Sequence, residues 1–202
     1  MNIQSVASVR LAMEAIADKK RAIFESMLAL IREHGFHGAP MSQVAKQAGV
    51  AAGTIYHYFD SKDQLIQALY DHNRSVLVNI IATTLEREPE VTEQELFCAL
   101  WMELYTFYTQ NPDVLVFFEQ YHNSPYSVER NSGYFRGKLY NFFEEGIHRK
   151  QFRAVRPELL ITLTISSINA AAKLTIFNKV ALDQHDLHQM ADMLWQGFAL
   201  HP

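Results

Sequence analysis

Residues 42–62, SQVAKQAGVAAGTIYHYFDSK, decide the fold. They read as a short helix, a glycine turn, a second short helix rich in rings and the capped start of a third, which is the order of a helix-turn-helix. Ser42 stands where an N-cap is expected, Val44, Ala45 and Ala48 give the first helix an apolar face, and Gly49 supplies the sharp turn. Val50 then points inward. In the second helix Ile55 and Phe59 are four apart and share the buried face, so Gly53, Thr54, His57 and Tyr58 turn outward and Tyr56 lies at the edge. So much exposed ring and hydroxyl surface implies a partner.

Working outward, the chain is helical almost without interruption. Asp18 to His34 carries Ile23, Phe24, Met27, Leu28 and Ile31 on one face and stops at Gly35. Residues 1–17 either extend this helix through Val9, Met13 and Ile16 or form a loose arm, and either Met1 or Met13 can be the native start. Ser61 and Gln64 make a capping box for a helix that keeps its apolar period from Leu65 through Asn73, Val76, Leu77, Ile80 and Ile81. Thr92 and Glu95 make another, opening a helix through Trp101, Tyr105 and Tyr108. A short helix over Asp113 to Tyr121 follows, then one reaching about Lys150 with Phe135, Leu139, Phe142, Phe143 and Ile147 inward.

The last two helices, Pro157 to Val180 and Asp183 to Leu200, are joined tightly enough to form an antiparallel hairpin. Small residues Ser166, Ser167, Ala170, Ala171 and Ala172 on the first, with Leu187, Met190, Leu194 and Gly197 striping the second beside Met193 and Phe198, predict a dimer surface; the alternative is that the hairpin completes the monomer core. The expected fold class is all-α: a three-helix DNA-binding head over residues 1–60 joined by a long helix to a helical-bundle body over residues 61–202.

Composition agrees with a chain able to bury a sizeable core: 202 residues, 49% apolar and 20% charged. The longest weakly polar run, Leu159 to Ala172, is expected to be too short to span a bilayer, the N-terminus lacks a signal-peptide layout, and a cytoplasmic location with no membrane partner follows. Cys98 is the single cysteine, so no intrachain disulfide can form. Charge divides along the chain, with +2 over residues 1–62 and −6 over residues 63–202, which suits a small nucleic-acid-binding head on a body that binds something else.

The run from Arg21 to Leu69, with a helix ending in HGF, then SQVAKQAGV, AAGTIYHYF and SKDQL, resembles the N-terminal domain of the TetR family of bacterial transcriptional regulators. The resemblance covers about a quarter of the chain by motif. It implies a homodimeric repressor with a three-helix head on a double-stranded DNA operator, a ligand-binding body and dimerisation through the two C-terminal helices. On that pattern Ser42 and Gln43 start the second helix, Ala52, Gly53, Thr54, Tyr56, His57 and Tyr58 face the DNA, and Lys62 opens the fourth helix against a phosphate. The chain departs from the pattern at Ala51 and Ala52, where many members carry Ser, Lys or Arg, and Asp60 is acidic; Arg10 of the N-terminal arm is an alternative source of contact. The chemistry suits the positions. Thr54 offers a hydroxyl to a base edge and a methyl to thymine, Gly53 lets the backbone approach, and the tyrosine hydroxyls reach phosphate oxygens.

The body holds many aromatic residues, which either fill a core or line a cavity. Trp101, Tyr105, Tyr108, Phe118, Tyr121, Tyr140 and Phe143 are the candidate walls for a small hydrophobic or aromatic effector. Glu103 and Glu119 among them suggest a cationic compound, whereas Asn169 and Lys173 on the penultimate helix suggest a carboxylate or acyl group; each can also be solvent-facing. A dimeric DNA-binding protein controlled by a protein partner, without a small-molecule effector, is the alternative. No enzyme is expected: Cys98 lies in an aromatic helix, and neither a phosphate-binding glycine loop nor a GxSxG elbow occurs. No cofactor is implied. His185 and His188 with Asp186 and Asp192 are read as an exposed helix end rather than a metal site.

Overall fold

The computed structural model describes residues 3–86, 91–127 and 137–200, with side chains from residue 16 onward. The described residues form α1 (Ile3–His34), α2 (Met41–Gln47), α3 (Ala52–Tyr58), α4 (Lys62–Leu85), α5 (Glu93–Gln110), α6 (Pro112–His122), α7 (Lys138–His148), α8 (Pro157–Ile176) and α9 (Gln184–Phe198). A single 3-10 turn spans Pro125–Ser127, and the one β-bridge among them pairs Phe152 with Ala199. The fold is all-α, as the periodicity predicts. α1 runs back to Ile3, so residues 3–17 of the segment read as helix or arm are helix. Phe135 lies outside the described residues.

Two compact units divide the chain, Met1–His72 with Val116–Ser127, and Asn73–Leu115 with Val128–Pro202. The division falls inside α4 and inside α6, not at residue 60. Its cause in the first unit is aromatic: Phe117 meets Phe36 edge-on at 6.0 Å between centroids, and Tyr121 stacks on Tyr70 at 4.2 Å. The single proton of the Tyr121 hydroxyl lies between two acceptors, Gln67 Oε1 at 3.0 Å and the Tyr126 carbonyl at 2.9 Å, and Gln120 Nε2 donates to the Ile31 carbonyl, which Gly35 N–H already caps. Gly35 has φ +69°, the left-handed turn that ends α1. Under this lies a core of Ile23, Phe24, Met27, Leu30, Ile31, Val44, Ile55, Phe59, Leu65 and Leu69, all buried. Leu30 replaces Leu28, which is half-buried, as the fully inward leucine of α1.

In the second unit α5 packs against α8 and α9. Thr92 caps α5 as predicted, its Oγ accepting from Glu95 N–H while the Glu95 carboxylate accepts from Thr92 N–H at 2.8 Å. Asp183 and Asp186 form the same reciprocal cap on α9. The core between these helices is a ring cluster of Phe97, Phe143, Phe152, Trp195 and Phe198. Gly146 leaves room for it: a Cβ there would sit 2.3 Å from two carbons of the Phe152 ring. Gly146→Ala is therefore expected to cost about 1–3 kcal/mol through overpacking, read as a lower denaturant midpoint with unchanged slope. An unchanged midpoint would mean that the Phe152 ring swings aside freely.

Candidate functional site

The turn of the helix-turn-helix is built by backbone hydrogen bonds. Gly49, at φ +66°, donates to the Lys46 carbonyl at 3.2 Å, and Val50 donates to the Ala45 carbonyl at 3.0 Å, a Schellman closure of α2 that only a left-handed residue completes. Val50 is half-buried behind it. α2 begins two residues earlier than the cap rule predicts. Pro40 is its N-cap, with its carbonyl accepting from Gln43 and Val44, no side chain caps the helix, and Met41 is anchored in the core. Ser42 is thus not the cap but an exposed residue of the first turn, with Gln43 beside it.

α3 is pinned by Ile55 and Phe59 and turns the rest of its surface to solvent. Ala51, Ala52, Gly53 and His57 are exposed, Thr54 and Tyr58 are half-buried, and Tyr56 is 54% exposed. Tyr56 is thus the most outward ring of the face rather than its edge. His57 meets Tyr58 edge-on at 5.8 Å, which orients both rings. α4 starts at Lys62, whose ammonium donates to the Phe36 carbonyl; partial burial lowers its pKa below the ordinary lysine value. Lys62 therefore fastens the turn after α1, and two of its three N–H donors remain for another acceptor. At the start of α4, Gln64 N–H donates to Ser61 Oγ, but the Gln64 side chain accepts from Asp60 rather than from Ser61, so only half of the predicted capping box closes on Ser61.

The second unit holds a cavity of about 230 Å³. Its walls are Arg74, Leu77, Val78 and Ile81 of α4, Tyr108 of α5, Gly137, Lys138, Leu139 and Tyr140 at the start of α7, and Ile161 and Ile165 of α8. Arg74, Leu77, Val78 and Ile81 stand at i, i+3, i+4 and i+7, one stripe of the helix. Among the described residues two basic side chains and two tyrosines line this space, and no carboxylate does. Lys138 is paired with Glu86 at 2.6 Å.

Of the effector residues expected from the sequence, Tyr108 and Tyr140 reach the cavity. Trp101 is fully buried instead, stacked on Tyr105 at 5.8 Å and donating its indole N–H to Ser167 Oγ at 2.9 Å. The Tyr105 hydroxyl is 2.8 Å from Thr175 Oγ1. Phe143 belongs to the ring cluster behind α9, and Phe118, Glu119 and Tyr121 belong to the first unit. Asn169 and Lys173 are half-buried on α8 outside the cavity wall, with Asn169 Oδ1 buried and accepting no hydrogen bond from the described residues. Glu103 accepts from Thr84 Oγ1 at 2.6 Å and is likewise outside the wall. Arg74, Lys138, Val78, Ile161 and Ile165 were not foreseen. The signal for Arg74 was present: an arginine at mid-helix in phase with Leu77, Val78 and Ile81.

Residues 23–69 match the model of the bacterial regulatory proteins of the tetR family, and residues 93–199, more than half of the chain, match the Tetracyclin repressor-like C-terminal domain. The chain belongs to the TetR family. An HTH-type transcriptional regulator of Haemophilus influenzae is 32% identical over 114 residues, 55% of this chain and 59% of its own. The fatty acid metabolism regulator protein of Bacillus subtilis is 30% identical over 76 residues, 38% of this chain and 39% of its own. The chain thus matches about half of the length of these curated relatives. Among solved structures, a TetR family transcription regulator from Marinobacter aquaeolei superposes with a TM-score of 0.85 at 18% identity, covering 93% of this chain and 98% of that one. A putative tetR family regulator from Shewanella gives 0.78 at 25% identity over 91% and 99%.

The hairpin of this TetR-family chain leaves apolar surface uncovered. On α8 Leu159 and Leu163 are 45% and 53% exposed, with Ser166 and Ala170 on the same stripe, and on α9 Met193 is 74% exposed. Ser167, Ala171, Ala172, Leu187 and Phe198, expected on that surface, point instead into the unit's own packing. α8 is 20 residues and, by length and composition alone, apolar enough to cross a membrane, contrary to the shorter run read from the sequence. Burial and the nearby Asp192 raise the Cys98 thiol pKa, so the thiol is protonated near neutral pH and unsuited to nucleophilic attack. His188 Nδ1 lies 2.6 Å from the Gln184 carbonyl, and no group of three metal-ligating side chains occurs among the described residues.

Proposed function

We propose that the chain is a ligand-responsive repressor, acting in the cytoplasm as a homodimer on a palindromic double-stranded operator and released when a small hydrophobic effector fills the cavity of the second unit. One observation carries the reading. α4 begins at Lys62, next in the chain after the recognition helix, and supplies the cavity wall from Arg74 onward, so one helix belongs to both units. An effector that reorients this helix changes the separation of two recognition helices in a dimer. A hundredfold release of operator requires about 2.7 kcal/mol of differential affinity between the two conformations.

Thr54 and His57 read base edges, Tyr56, the most outward ring of α3, joins them there instead of holding the phosphate expected from the sequence, Ala52 and Gly53 admit the phosphate backbone closely, and Tyr58, Ser42, Gln43 and the spare donors of Lys62 hold phosphates. The exposed stripe on α8 and α9 is the dimer seam, which also hides its apolar surface from water. A neighbour of the same fold, the transcriptional regulator FadR from Bacillus subtilis, was solved in complex with stearoyl-CoA, with a TM-score of 0.64 at 19% identity. That complex supports an acyl-type occupant as a class to test. The test is operator affinity by fluorescence anisotropy across an effector series: release at saturation supports the reading, and affinity unchanged by any compound that fills the cavity contradicts it.

The few cations of the recognition surface predict a shallow salt dependence. Between residues 41 and 62 the lysines are Lys46 and Lys62, with no arginine, giving four per dimer. The slope of log K against log salt is therefore expected near about −4. A slope near about −8 would bring in further cations, with Arg10 of α1 the first to replace.

A further inference from the structure

We infer that the cavity selects a medium-chain alkyl carboxylate, with the Arg74 guanidinium as the group that recognises its anionic head. The inference rests on the reading of this cavity as the effector site and adds the ligand's chemical class. Among the described residues the walls are apolar except for two basic side chains and two tyrosines, and no acidic side chain lines the space. Lys138 is already neutralised by Glu86. Arg74 is half-buried on the apolar stripe of α4 and, among the described residues, makes no hydrogen bond or ion pair. A partly desolvated guanidinium with no counter-charge among the described residues favours an anion, and its planar fork of N–H donors fits the two oxygens of a carboxylate.

The remaining walls agree with that choice. The first turn of α7 forms one of them, and its N-cap, Gly137, offers no side chain to compensate the positive end of the helix. Leu77, Ile81, Ile161 and Ile165 give a hydrocarbon chain its contact. A volume of about 230 Å³ is below the range of about 300–1,000 Å³ for sites that take drug-sized ligands, which favours a single short chain over a polycyclic compound. The cationic effector suggested by Glu103 and Glu119 has no acidic partner here.

The experiment is calorimetric titration of the full chain with octanoate, octanamide and octylammonium below their micellar concentrations, repeated on Arg74→Gln. Wild type is expected to bind octanoate at least about tenfold more tightly than octanamide, the margin of a charge-assisted bidentate contact. Arg74→Gln is expected to erase that preference while keeping the octanamide affinity and the melting temperature of the free protein. Equal binding of all three head groups by wild type would overturn the carboxylate inference and leave the cavity standing as a site for neutral hydrophobic effectors. Absence of binding across hexanoate to dodecanoate and their amides would overturn the effector cavity itself.

Discussion

Thr54→Ala combined with Tyr56→Ala is expected to weaken operator binding by about a thousandfold without lowering the melting temperature. Tyr56 is 54% exposed and Thr54 half-buried, so neither supports the core that Ile55 and Phe59 close beneath them. In a dimer each substitution counts twice. Four lost contacts at about 1 kcal/mol each, the low end for base-edge readout, give roughly 4 kcal/mol, or about three powers of ten. Because Lys46 and Lys62 remain, residual binding to random duplex should be unchanged, and the loss should appear as lost discrimination. Competition anisotropy between operator and random duplex measures this. Equal loss on both duplexes would show that the α3 face contributes affinity but no readout.

Trp101→Ala is expected to be the most destabilising single truncation in the second unit. The indole is fully buried, stacks on Tyr105 with ring planes 9° apart, and its N–H is satisfied by Ser167. Truncation removes the burial, opens a cavity beneath α8 and deprives Ser167 of a donor, although the serine still donates to the Thr164 carbonyl at 2.8 Å. The expected cost is about 3–5 kcal/mol, or a fall of about 10 °C in Tm for a chain of this size. Trp101→Phe keeps most of the contact and loses the hydrogen bond, so its cost should be nearer about 1–2 kcal/mol. Neither ring lines the cavity beside Arg74, and Trp101→Phe should therefore leave octanoate affinity unchanged. A large change in ligand affinity with intact stability would put Trp101 back among the effector contacts.

What was legible in the sequence followed from local rules. The turn at Gly49 was readable because only a left-handed residue closes α2 there, and the inward pair Ile55 and Phe59 because four residues make one turn. Ser42 was misread for the opposite reason: cap rules look for a side-chain oxygen, whereas here the Pro40 carbonyl does the capping and Met41 is held by packing. The assignment of α6 to two units was not legible, since Phe117, Phe118 and Tyr121 declare themselves apolar without saying which core they join. The cavity was half legible. The second half of α4 is apolar over a wide arc, so its stripe could be phased through Asn73, which is buried, or through Arg74, which faces the cavity. Aromatic residues drew attention to α5, yet most of those rings satisfy one another in stacked and edge-on pairs, and Ile161 and Ile165 form the wall.

The most direct test is selection of bound duplexes from a random DNA pool by the 202-residue chain, alongside Thr54→Ala and His57→Ala. A dimer reading DNA through α3 enriches a palindrome whose half-sites lie about one helical turn, or a multiple of it, apart, with enrichment lost in both variants. A pool that stays unenriched at low salt, or a palindrome recovered equally well by the variants, would contradict recognition through the exposed face of α3.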